Sequence, residues 1–239
     1  MSAMTSVEQA DRQSDVTGAV LKGLIKASVF VLVMAAALFT SAWRLDWAMG
    51  WVYVGLCVAS TVVGALVLPP ELQAERAQAR AGLKGWDIPL VIFMARIGPL
   101  SVLIVAGLDV RARGTAQIPL GIQIAALALA ALGYALTLWA MGSNKFFSGV
   151  VRIQKERGHT VATGGPYRFV RHPGYVGAIM FNLATPLVLG SPWSFIPTLL
   201  VVGVTVVRTV LEDRTLHDEL DGYTDYARRV RYRLVPGVW

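Results

Sequence analysis

Apolar residues run in blocks about as long as a bilayer is thick, parted by short polar or proline-marked breaks. A helical span takes roughly 20 residues. Residues 24–42 fit, opened by Lys22 and Lys26 and closed by Trp43. Residues 47–68 follow, with Trp47, Trp51 and Tyr53 at the headgroup level that aromatic rings favour, and Pro69 and Pro70 end the run. Residues 88–108 give a third span, interrupted by Arg96, Gly98 and Pro99, and 118–141 a fourth. Residues 176–189 and 193–211, parted by Gly190-Ser191-Pro192, read as a helical hairpin whose first arm is short for a full crossing. Around 71–86, Glu71, Glu75, Arg76, Arg80 and Lys84 alternate with alanine and leucine, the pattern of a helix lying on the membrane surface. The predicted fold is all-α: a multi-span transmembrane helical protein with five or six membrane segments. It divides into a polar segment (1–23), N-terminal transmembrane helices with the surface helix (24–141) and a C-terminal region containing the hairpin (142–239).

Composition sharpens this. Hydrophobic residues make up 55% and charged residues 15%, where a soluble domain carries about a quarter charged. An ordinary soluble domain and a disordered chain are both excluded. The net charge of +7 would suggest nucleic acid in a soluble protein. Here it is expected to mark inner loops facing anionic lipid, with no nucleic-acid partner. With the N-terminus inside, all of the 22 Lys and Arg except Arg44, Arg96, Arg111 and Arg113 fall on the inner side. Both termini are therefore expected to be cytoplasmic. The single Cys57 excludes an intramolecular disulfide, and three histidines leave no metal centre expected.

Polar chemistry gathers in two places: 159–175 and 208–232. The hairpin between them returns the chain to the same membrane face, so the two can meet. In the first, Gly164-Gly165-Pro166 dictates a turn, and Pro173 suits the first turn of the following helix, whose free N–H groups favour an anion. In the second, Arg208 and Glu212 share a helix face at the inner end of the last span, where ionisable groups commonly face an interior cavity. From residue types alone, a basic lipid-touching loop and a snorkelling Arg–Glu pair account for these features equally well.

The ordered string from His159-Thr160-Val161 through Gly165–Gly177, Arg208–Asp213 and Tyr226–Pro236 resembles the isoprenylcysteine carboxyl methyltransferase family, in the wider group that includes phospholipid methyltransferases. The resemblance covers the C-terminal 40% of the chain, roughly. It implies S-adenosylmethionine as cofactor, held under the C-terminal segments on the cytoplasmic face by His159, Thr160, Val161, Ala162, Tyr167, His172, Pro173, Gly174, Tyr175 and Glu212. Arg208 would face and orient the methyl acceptor, a lipophilic molecule whose best match is an isoprenylcysteine-like acid methylated on its carboxyl group. A phospholipid amine N-methyltransferase and a sterol-type membrane reductase using NADPH are the alternatives. No obligate protein partner is implied. Where the family often has two glutamates, this chain has Glu212-Asp213, and Gln154 is the nearest match to a glutamine contact upstream.

Overall fold

The structure is a computed structural model that describes residues 6–77, 82–114 and 118–239. The helices in chain order are α1 (Ser6–Ala42), α2 (Ala48–Val67), α3 (Pro70–Ala77), α4 (Asp87–Ile92), α5 (Gly98–Arg113), α6 (Leu120–Gly142), α7 (Pro173–Val188), α8 (Phe195–Glu219) and α9 (Tyr223–Arg229). A π turn, Phe93–Ile97, joins α4 to α5, so the third span is one rod from Asp87 to Arg113. No strand occurs among the described residues. In lipid every backbone N–H and C=O needs an internal partner, which unbroken helices supply. Five helical stretches are long and apolar enough to cross a membrane, and α7 is a shorter apolar sixth. Their outer faces carry exposed leucines such as Leu32, Leu66, Leu132, Leu199 and Leu200, as a lipid-facing belt requires.

Several boundaries move from the expected ones. The polar segment expected over 1–23 is helical from Ser6 and continuous with the first span. The charged segment after residue 211, expected to be helical through Tyr226, is helical to Glu219 in α8 and again over Tyr223–Arg229 in α9. Of the surface helix expected over 71–86, Pro70–Ala77 is helical, and Arg80 lies outside the described residues. This helix is packed as well as superficial: Leu72, Ala74 and Glu75 are buried, and it lies against α1. Arg96, at the π turn, places its guanidinium 4.3 Å from the centroid of the Phe30 ring on α1.

The hairpin is the frame of the site. At its tip Gly190 adopts φ 69°, and Ser191 donates to buried Asp109 Oδ2 at 2.7 Å. Asp109 in turn pairs with Arg113 at the end of α5 (2.8 Å), so the short arm α7 reaches the far end of the third span. On its other side α7 makes the most extensive helix pairing among the described residues, with α6. A Cβ on Gly177 would lie 2.3 Å from the Gly133 carbonyl oxygen and 2.4 Å from Thr137 Oγ1. Backbone approach through small residues is how helices bind each other where lipid removes the hydrophobic drive. Gly177→Ala is therefore expected to cost about 1–3 kcal/mol through overpacking against a backbone that cannot move aside. Gly203→Ala, whose Cβ meets nothing within 4 Å, should leave the melting temperature in detergent unchanged or higher. Equal melting of the two variants would refute this packing.

Candidate active site

From α6 the chain enters a loop, 143–172, that has little regular structure and is held by buried polar contacts. Gly165 takes φ 57°, and a Cβ there would sit 2.2 Å from Ser143 Oγ, so only glycine fits this turn. The middle of the loop is pinned from α4. Asp87, 1% exposed, accepts the Val151 N–H at Oδ2 (2.6 Å). Gln154 is buried away from the cavity, donating to the Phe146 carbonyl (2.7 Å) and accepting from Arg157 (2.5 Å). Arg152 pairs with Glu75 of α3 at 2.5 Å and with Glu156 at 2.8 Å.

Where this loop meets α7, α8 and the C-terminal segment, a cavity of about 340 Å³ opens. That is within the range of small-molecule sites, roughly 300–1,000 Å³. His159, Thr160, Val161, Ala162, Tyr167, His172, Gly174, Tyr175, Arg208 and Glu212 all line it. Pro173 does not; it is buried at the first turn of α7 and starts that helix. The resulting N-terminus offers one free amide. Tyr175 and Val176 N–H bond to the His172 carbonyl, which leaves Gly174 N–H without a backbone partner among the described residues.

Two charge chains hold the cavity groups in place. In the first, Asp87 binds Arg208 through both oxygens, Oδ1 to Nε (2.6 Å) and Oδ2 to Nη2 (3.0 Å). Arg208 Nη2 also donates to the Gly149 carbonyl (3.2 Å), and its Nη1 to the Tyr175 hydroxyl (2.5 Å). Tyr175 then donates to Glu212 Oε2. Glu212 has no cationic partner among the described residues, so its charge faces the cavity with a fixed orientation. Arg208, expected to orient the acceptor, has four of its five N–H groups committed to protein.

The second chain centres on Asp213, also 1% exposed. It accepts from Arg171 Nε (2.8 Å) and Nη2 (3.1 Å), Arg233 Nε (2.8 Å) and Tyr223 OH (2.8 Å), and it lies 3.2 Å from His172 Nε2. Arg171 Nη1 reaches the Val230 and Arg231 carbonyls. The Arg171 and His172 amides bond to the carbonyls of Tyr232 and Arg233 (2.9 and 3.0 Å). The shorter acid after Glu212 is thus the anchor of the site. Arg233, which sequence placed in a lipid-facing patch, is drawn inward to it. Asp87 carries no signal in the sequence, because its partners lie far away along the chain, and Asp213 shows there only as the shorter acid after Glu212.

His159 accepts the Gln154 N–H at Nδ1 (3.2 Å), which puts its proton on Nε2. Partial burial, with Arg152 and Arg157 nearby, pushes its pKa down to about 4, so the ring is a neutral donor at neutral pH. Burial raises the Tyr167 hydroxyl pKa well above its ordinary value; the ring stays neutral and accepts from Asn144 Nδ2 (3.4 Å). The far wall is apolar: Val91, Met94 and Ala95 beside the π turn, and Ala178 on α7. Phe146 and Phe147 line the cavity too.

Five long apolar helices among the described residues mark an integral, multi-pass membrane protein, and the cavity gathers its polar groups on the loop side. Residues 122–219, which include the hairpin and the Arg208–Glu212 pair, match the family of phospholipid methyltransferases. Protein-S-isoprenylcysteine O-methyltransferase of Rattus norvegicus is 33% identical over 105 residues, 40% of this chain and 34% of that protein. The human protein of that name is 32% identical over 103 residues, 39% of this chain and 33% of that protein. The one from Schizosaccharomyces pombe is 38% identical over 79 residues, 33% and 32% of the two chains. The resemblance carried by the motifs is borne out. The chain spans about a third of the length of the curated relatives it matches.

Proposed function

We propose that this protein transfers a methyl group from S-adenosylmethionine to the carboxylate of a lipophilic acceptor, an isoprenylcysteine-like acid. The observation that carries the reading is the convergence of the motif residues on one cavity that is polar toward the loop and apolar toward the helices. The relatives' names support the carboxyl acceptor.

The donor set fits the cofactor. Glu212 offers an uncompensated carboxylate to its ammonium group, and His159 Nε2–H and the Gly174 amide offer donors to its carboxylate. The Tyr167 and Tyr175 rings offer faces to the adenine or the sulfur cation. When bound, S-adenosylmethionine supplies a methyl group activated on a sulfonium. The protein's share is alignment, which is worth about 7–11 kcal/mol in well-oriented systems, and exclusion of water by the loop and the C-terminal segment. A carboxylate acceptor has no proton to lose, so the site needs no general base.

Radiolabelled S-adenosylmethionine, supplied with purified protein and a membrane extract, should yield a labelled lipid that releases methanol in base. A base-stable methylamine on a phospholipid would defeat the carboxyl reading in favour of a phospholipid acceptor, the kind named by the matched family. Loss of label to neither product, with NADPH oxidised instead, would point to a reductase.

The orientation with both termini cytoplasmic belongs to the same proposal. In a Cys57→Ser background, Asp46→Cys should react with a membrane-impermeant maleimide on intact cells, whereas Gln13→Cys and Arg228→Cys should react only after lysis. Labelling of Arg228→Cys from outside would overturn it.

A further inference from the structure

Four arginines line the cavity: Arg76, Arg152, Arg171 and Arg208. Three are neutralised by carboxylates: Arg152 by Glu75 and Glu156, Arg171 by Asp213, and Arg208 by Asp87. Arg76 has no carboxylate and no hydrogen-bond partner among the described residues. Its guanidinium sits over the Phe147 ring, 5.3 Å from the centroid. It comes from α3, which follows the Pro69-Pro70 break at the membrane face and contributes nothing else to the cavity lining.

We propose that Arg76 is the specificity-determining residue that receives the acceptor's carboxylate. The inference rests on the methyl-transfer reading above and names the group that selects its substrate. The Arg76 side chain is exposed at the cavity and so is open to a ligand, and a planar carboxylate matches its fork in two parallel hydrogen bonds. The cavity then has two poles. Glu212 is its lone carboxylate among the described residues and takes the cofactor's cation. Arg76 is its lone unpaired arginine and takes the acceptor's anion. The apolar wall formed by Val91, Met94, Ala95 and Ala178 is left for the acceptor's hydrocarbon chain. The Arg208 cation lies close enough to repel Arg76, and an anion docked between them relieves that repulsion.

Equilibrium binding tests this without turnover. The probes are an S-prenylated cysteine acid and its primary amide, titrated into detergent-purified protein saturated with S-adenosylhomocysteine. Wild-type protein should prefer the acid by about tenfold or more, the scale of one charge-assisted contact. Arg76→Gln should bind the two equally and Arg76→Lys should keep part of the preference, with S-adenosylhomocysteine affinity within about twofold of wild type in both. Retained preference in Arg76→Gln overturns the proposal. So does a parallel fall in S-adenosylhomocysteine affinity, which would place Arg76 on the cofactor or in the fold, and so does a wild-type protein that prefers neither probe. Failure of the methyl-transfer reading looks different: an Arg76-dependent acid preference with no base-labile methyl product.

Discussion

Asp213→Ala is expected to lower the melting temperature of the detergent-purified protein by on the order of 10 °C and to abolish cofactor binding. The carboxylate gathers Arg171, Arg233, Tyr223 and His172 from three parts of the chain at 1% exposure. Removing it strands the buried Arg171 guanidinium, and breaking a buried pair in this way costs roughly 3–5 kcal/mol. In a chain of this length each kcal/mol shifts melting by about 2–4 °C. Arg228→Ala is the contrast. Its pair with Asp225 is fully in water, at 76% and 74% exposure, and such pairs are worth about 0–1 kcal/mol. Similar melting of both variants would mean that Asp213 is not the anchor described.

Glu212→Gln should leave melting near wild type but weaken S-adenosylhomocysteine binding by about 10- to 150-fold, the equivalent of roughly 1.5–3 kcal/mol for a charge-assisted contact. The substitution keeps the shape of the side chain and an acceptor for the Tyr175 hydroxyl while deleting the charge. Any loss therefore reports the charge. Calorimetric titration measures it directly, and unchanged affinity would remove Glu212 from the cofactor site.

The spans were legible in the sequence because lipid demands long apolar blocks, and the hairpin because Gly190 and Pro192 punctuate it. Helix ends were not legible. Polarity marks where a helix leaves the membrane and not where it stops, so α1 begins well before residue 24. Every residue that the motif string pointed to except Pro173 lines the cavity, since those side chains cluster along one loop and two helix ends. Their supports were invisible. Asp87 meets Arg208 from four helical elements away, and Glu75 meets Arg152 across the whole third and fourth spans. A lone acid at the edge of an apolar block looks like ordinary interfacial polarity until folding supplies its partner. Arg76 was hidden for the same reason, inside a segment whose alternation spoke only of a membrane surface.

The pairing of Arg171 and His172 amides with the Tyr232 and Arg233 carbonyls has a consequence for biosynthesis. A chain ending between Glu219 and Tyr232 contains all its spans, hairpin included. It still lacks the strap that closes the loop and the arginine that completes the Asp213 cluster. The membrane helices of such a product are complete, and its cavity is left open on the loop side.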